Sequence, residues 1–288
     1  MLLVRYSPAA REVQSVCLDE PRKTRRFGGF PGARCRIDSH LIPLHDDNPT
    51  EIFPILTLLI IAACIGVWVY VQGAGASEQA LGGSICALGA IPAEITGAGG
   101  GGGPCRLGGL TWQALLTSMF LHGSWMHLIG NVWFLWIFGN NIEDSMGHLR
   151  FLAFYLLTGV LAAAAHIVSD PSSTIPMVGA SGAISGVMGA YLVLYPRARI
   201  DTFFWIIVVI RVVPLPAWVM LGYWMLIQLS GSFVTSIAGG GGIAYGAHIG
   251  GFLAGLVLVL FFRNPKLVGA KRRGVVLRRH ELDHRGWW

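Results

Sequence analysis

Charged residues are scarce in this chain. Asp, Glu, Lys and Arg together make up 12% of 288 residues, whereas hydrophobic residues make up 53%, against about 25% and 45–50% in a typical soluble domain. With a mean hydropathy of +0.59, the chain cannot cover a globular surface with polar groups, which excludes an ordinary soluble enzyme and a disordered protein. Five cysteines are too few for a disulfide-dense secreted module. No internal repeat is visible, and the first 50 residues lack a signal-peptide pattern. The net charge of +6 is no mark of nucleic-acid binding, because the basic residues gather at the two ends, away from base-stacking aromatics. Above all, the long apolar runs hold no carboxylate in their cores. That absence argues against an intramembrane aspartyl protease, which needs two, and against a transporter with a buried carboxylate relay.

What is present is a series of six apolar segments: Ile52–Gln72, Ser124–Ile142, His148–Val168, Val178–Tyr195, a span within Thr202–Leu229, and Ile243–Phe262. At 1.5 Å per residue such segments suit a hydrocarbon layer of about 30 Å. The fold class expected is an all-α membrane protein. Three regions are expected: a basic cytoplasmic extension over 1–50, a six-span domain over 51–263 and a basic cytoplasmic tail over 264–288. Six spans put 20 of the 21 Lys and Arg on one side and only Arg106 on the other, so both termini are expected in the cytoplasm and the Gly-rich loop around Gly97–Cys105 outside. Arg211 interrupts an apolar stretch, so 202–212 is expected to run along the inner interface, with the span proper starting near Pro214.

The polar residues singled out within the apolar segments are His127, Asn131, Ser181, Ser185 and His248. Ser181 lies in Gly179-Ala180-Ser181-Gly182. Small neighbours leave its hydroxyl open to a carbonyl carbon, but they equally suit close helix packing, since Gly182 and Gly186 form a G-xxx-G pair. His248 lies in Ala247-His248-Ile249-Gly250-Gly251, about as deep from its span end as Ser181 is from its own. It can serve as a general base to that serine or as a helix–helix hydrogen bonder. His127 and Asn131 are four residues apart and share a helix face. They can hold an oxyanion or form a polar rung between helices. The tail sequence His280-Glu281-Leu282-Asp283-His284 matches H-E-x-x-H, but a charged tail offers no core and no third ligand, so no metal or other cofactor is expected.

Together these elements resemble the rhomboid family of intramembrane serine proteases. The resemblance rests on His122-Gly-Ser-Trp-Met-His127-Leu-Ile-Gly-Asn131, on Gly179-Ala180-Ser181-Gly182, and on Ala247-His248-Ile249-Gly250-Gly251 followed by Gly255, in the family's order and span placement. It covers about residues 41–263. It implies a six-helix rhomboid bundle with a Ser181–His248 dyad and no third carboxylate. His127, Asn131 and the Ser181 backbone N–H would form the oxyanion site, with His122, Gly179 and Gly182 in support. It also implies transmembrane substrate proteins cut near the outer face, the lipid bilayer as partner, no nucleic acid, and a multi-pass location, expected to be the bacterial inner membrane. The alternative is a rhomboid-like protein that binds membrane helices without cutting; such proteins usually lose the Ser or the His, and this chain has both.

Two departures bear on the site. Many members carry a Trp-Arg pair in the first outer loop, where this chain reads Trp112-Gln113. Some carry an aromatic residue four positions after the serine, against which the histidine packs; here that position is Ser185, so another contact must orient His248. Cys17 and Cys35 are expected reduced in the cytoplasm, and Cys64 a packing residue in the first span. Cys86 and Cys105 share the outer loop, where a disulfide can form and take over the rigidity that the missing Arg withdraws.

Overall fold

The computed structural model describes residues 40–98, 103–105, 111–206, 209–238 and 243–272. The expectations for Cys17, Cys35, Arg106 and the H-E-x-x-H tail lie outside the described residues. In chain order the elements are β1 (His40–Asp46), α1 (Ile55–Gly66, prolonged by a π turn over Val67–Val71), α2 (Glu78–Leu88), α3 (Pro92–Thr96), α4 (Ala114–Thr117), α5 (Trp125–Met146), α6 (His148–Ser169), α7 (Ser181–Leu194), β2 (Arg199–Ile206), β3 (Val209–Pro216), α8 (Ala217–Ala238), α9 (Tyr245–Phe262) and α10 (Pro265–Arg272). Among the described residues, α6, α8 and α9 are long and apolar enough to cross a membrane, while Ile55–Val71 and α7 are shorter apolar helices.

The fold is mostly helical but not all-α. β1, β2 and β3 form an antiparallel sheet in that order. The segment over 202–212, expected to run along an interface, lies in β2 and β3, and α8 begins at Ala217, close to the start expected near Pro214. The segment's composition explains the choice: β2 and β3 are rich in β-branched and aromatic residues. Pro214 and Pro216 would break a helix but sit tolerably on β3, an edge strand. β1 comes from the stretch assigned to the N-terminal extension, so residues 40–46 of that extension belong to the fold. Trp133 Nε1 of α5 donates to the Pro43 carbonyl (2.6 Å), and buried Asp46 accepts from Asn141 Nδ2 (2.7 Å) and Tyr191 Oη (2.6 Å). Those bonds tie the sheet to α5 and α7.

The start of α1 is held by two buried carboxylates at the far end of α5. Glu143 accepts from the backbone N–H groups of Leu56 (2.9 Å) and Thr57 (2.8 Å), and Asp144 from those of Glu51 (3.1 Å) and Ile52 (2.9 Å). Leu56 and Thr57 lie in the first turn of α1, where backbone N–H groups lack intrahelical acceptors.

Helices α7 and α9 touch backbone to backbone. A Cβ on Gly251 would fall 2.1 Å from the Gly182 carbonyl oxygen, and one on Gly255 2.0 Å from that of Gly186. In lipid, helices gain little from apolar burial against one another, so close packing and small residues must hold them. Gly255→Ala should therefore push α9 off α7. The expected result is a lower thermal unfolding midpoint together with lost activity, since the two helices carry Ser181 and His248; an unchanged midpoint would show that the contact yields easily.

The described residues between α1 and α5 are tied to the rest of the fold. Ala90 exchanges backbone bonds with Met177 (3.0 and 2.7 Å), just ahead of α7, and Ala93 N donates to the Ser173 carbonyl (2.9 Å). Cys86 and Cys105 are joined by a disulfide, as their shared loop led one to expect, and Cys64 is buried and free. Closing a loop of this size contributes about 3 kcal/mol by restricting the unfolded chain. Reduction should thus lower thermal stability more than turnover; equal loss of both would contradict this.

Candidate active site

The site lies where α5, α7 and α9 begin. The chain enters α7 through Gly179, whose φ of +123° is a conformation L side chains rarely adopt, and whose N–H donates to the Ser118 carbonyl (2.9 Å). That turn sets Ser181 as the first residue of α7, where backbone N–H groups lack intrahelical acceptors. Ser181 Oγ lies 2.8 Å from His248 Nε2 on the first turn of α9. The other ring nitrogen, Nδ1, lies 2.7 Å from Gln228 Oε1 of α8, and the Trp224 ring stands 6.0 Å from the imidazole. Ser185 takes no part in holding His248: its Oγ donates to the Ser181 carbonyl (2.6 Å). The contacts that hold the His248 ring therefore come from α8.

His127 faces Ser181 from across Gly179. A methyl on Gly179 would lie 2.7 Å from His127 Nε2 and 3.6 Å from Ser181 Oγ. The gap between these side chains exists because residue 179 has none. Gly123 N–H donates to His127 Nδ1 (3.4 Å), which leaves Nε2 to carry the ring proton toward that gap. Ser124 caps α5, its Oγ accepting from His127 N–H (3.1 Å). Asn131 stands one turn further along and is buried, its Nδ2 donating to the His127 carbonyl (3.0 Å), so the amide is occupied within its own helix.

His122, in the link ahead of α5, packs edge-to-face on His127 with ring centroids 5.2 Å apart. Its backbone is clamped by Gln72, whose Nε2 donates to the His122 carbonyl (2.7 Å) and whose Oε1 accepts from its N–H (2.8 Å). Burial, assisted by the His127 ring, pushes His122 down to about 4, so it is uncharged at neutral pH. Gly182 meets α6 closely, a Cβ there falling 2.7 Å from that of Ala162. Beside Ser181 is a narrow cavity of about 20 Å³, lined by Ser118, Met119, Gly179, Gly182 and Ala247, enough room for one water. No cluster of His, Cys, Asp or Glu able to hold a metal occurs among the described residues.

The structure thus brings Ser181, His248, His127, Gly179 and His122 together and sets Asn131 one turn away. Gln72, Gln228 and Trp224 were not singled out from sequence. The two glutamines lie in predicted spans, so the rule that selects His248, a polar side chain within an apolar segment, applies equally to them.

Residues 109–265, more than half of the chain, match the family model described as the Rhomboid domain. The chain is 30% identical to RHOMBOID-like protein 5 of Arabidopsis thaliana over 168 residues, which is 56% of this chain and 49% of that protein. It is 31% identical to Rhomboid-like protease 5 of Toxoplasma gondii over 178 residues, 60% of this chain and 19% of that protein. With Rhomboid protease GluP of Bacillus subtilis it shares 42% identity over 81 residues, 28% of this chain and 15% of that protein. The chain therefore spans less than half the length of these curated relatives. With a matching domain that carries the Ser181 and His248 motifs in order, the chain belongs to the rhomboid family.

Proposed function

We propose that the chain is an intramembrane serine endopeptidase that cuts single-span membrane proteins with Ser181 as nucleophile and His248 as general base. The observation that carries this is the 2.8 Å contact between Ser181 Oγ and His248 Nε2, within the reach proton transfer requires. His248 draws the hydroxyl proton as Oγ attacks a substrate carbonyl. The tetrahedral oxyanion rests on the Ser181 N–H, on His127 Nε2–H and on Asn131 once its amide turns from the His127 carbonyl. His248 returns the proton to the leaving amine, and water, again activated by His248, hydrolyses the acyl-enzyme. His122 and Gly182 keep His127 and α7 in place.

The six spans are α1 with its π turn, α5, α6, α7, α8 and α9, forming a catalytic unit over 51–263 joined by β1, with a basic region on either side. α7 has 14 residues, about 21 Å of helix, short for a hydrocarbon layer of about 30 Å. That shortness supports a serine lying below the membrane surface, with non-helical chain tolerated because it lines a cavity. The Lys/Arg split supports cytoplasmic termini, and the Cys86–Cys105 bond, near the start of α7, supports an oxidising outer side for the site end. The location proposed is the bacterial cell membrane.

A substrate must offer extended backbone, because an intact helix hides its carbonyls. Gly or Pro near the outer end of its span should favour cleavage. The test is to incubate detergent-purified protein with a single-span reporter carrying such a segment. A cut near that end is expected; binding without a cut would instead favour the helix-binding alternative. On the same reporter, His127→Ala should lower kcat by about 10²–10³, the usual loss for one oxyanion donor. Asn131→Ala should cost less, because its amide is engaged within α5. Unchanged rates in both would make the α5 face structural.

A further inference from the structure

The geometry points to Gln228 as a positioning residue that fixes the tautomer and ring orientation of His248. It rests on the Ser181–His248 chemistry proposed above and extends it to a third side chain.

Gln228 is anomalous on its helix. Its neighbours Leu226, Ile227 and Leu229 are 65%, 44% and 47% exposed, on a face suited to lipid, whereas Gln228 is 7% exposed. An amide in an apolar span is costly unless its groups are bonded. Both ends of this one are accounted for. Nε2 reaches the Trp224 carbonyl one turn earlier (3.5 Å), and Oε1 lies 2.7 Å from His248 Nδ1. The opposite amide orientation would set its oxygen against the Trp224 carbonyl oxygen, two acceptors facing each other. The long bond to Trp224 therefore selects the orientation that presents oxygen to the imidazole.

The consequence follows from donor and acceptor inventory. An amide oxygen can only accept, so Nδ1 must carry the hydrogen, and in the neutral ring Nε2 is then left with its lone pair. That lone pair faces Ser181 Oγ at 2.8 Å, as a base needs. The other tautomer would turn an N–H toward the serine and leave nothing to accept its proton. A neutral amide also suits an apolar span better than a carboxylate, which would have to be desolvated. Trp224, four residues before Gln228 on the same face, flanks the ring at 6.0 Å and packs on Phe252 of α9, also at 6.0 Å. The pair from α8 thus supplies the orientation that Ser185 cannot.

The test compares wild type, Gln228→Met and Gln228→Glu as purified full-length protein. Methionine keeps the shape and removes the acceptor; glutamate keeps an acceptor oxygen in the same place. Gln228→Met should lower kcat on the reporter by about 10- to 100-fold, by analogy with histidine ligands of metals that lose the partner of their other ring nitrogen, with KM within about twofold. It should slow modification of Ser181 by a fluorophosphonate to a similar degree, and Gln228→Glu should recover much of both rates. A structural role alone would not produce recovery by glutamate with an unmoved KM. Independently of any Gln228 variant, nitrogen NMR of histidine-labelled wild type, with His248→Ala as the subtraction control, should show His248 protonated on Nδ1. Wild-type rates in Gln228→Met, no recovery with glutamate, or an Nε2-protonated His248 would each overturn the inference. If the wild type itself neither cuts the reporter nor is modified at Ser181, the dyad falls and this inference with it; if it does both, equal rates in Gln228→Met remove only the role of Gln228.

Discussion

Ser181→Ala and His248→Ala are each expected to reduce reporter cleavage to background, a loss of more than about 10⁴-fold, while the purified protein keeps its helical circular dichroism. Members of such a unit act together, so removing either costs nearly the whole of the covalent mechanism. No nearby group is placed to substitute. Ser185, one turn into α7, is 1% exposed and its hydroxyl is spent on the Ser181 carbonyl. His127 approaches from the Gly179 side with Nδ1 engaged by Gly123. Ser181→Ala should not harm folding, because it removes one oxygen beside a cavity, and the α7–α9 contact depends on glycines elsewhere. Cleavage persisting in Ser181→Ala at a rate near wild type would require a different nucleophile.

Gly179→Ala is expected to be nearly as damaging, though residue 179 contributes no functional group. Two costs coincide. The backbone holds φ at +123°, where a Cβ is strained by about 1–3 kcal/mol. The added methyl would also sit 2.7 Å from His127 Nε2 and 2.8 Å from its Cε1, well inside contact distance. Relief requires the His127 ring to retreat or the turn before Ser181 to move. Either change fills or distorts the gap where an oxyanion would sit between nucleophile and donor, so kcat should fall by at least about 10², with a lowered unfolding midpoint. Near-normal kcat in this variant would show that the gap is not where the substrate carbonyl binds.

The parts of this molecule legible in sequence are those whose physics is local. Gly182, Gly186, Gly251 and Gly255 announce close helix contact by their spacing alone, and α7 and α9 meet through them. Helix α6 begins at His148 as its apolar run does. The sheet was not legible, because β1 pairs with a strand more distant in sequence than any local pattern can signal, and because a short apolar run with prolines reads equally as strand or interfacial segment. At the site, the serine and histidine motifs stood out by their small neighbours, but the occupancy of Asn131 by its own helix and the reach of Gln228 and Gln72 depend on how helices are set against each other. Spacing does not encode that. Glu143 and Asp144 show the same limit: acidic residues at the end of an apolar run look like a span boundary, and only the fold reveals that Glu143 binds the first turn of α1 and Asp144 the chain leading into it.

The most direct measurement of the central claim is to treat the detergent-purified wild-type protein with a fluorophosphonate, digest it and locate the added mass. The account predicts a single adduct, on the peptide containing Ser181, that is lost in His248→Ala. Unmodified Ser181 in a preparation that cleaves the reporter, or undiminished modification without His248, would contradict it.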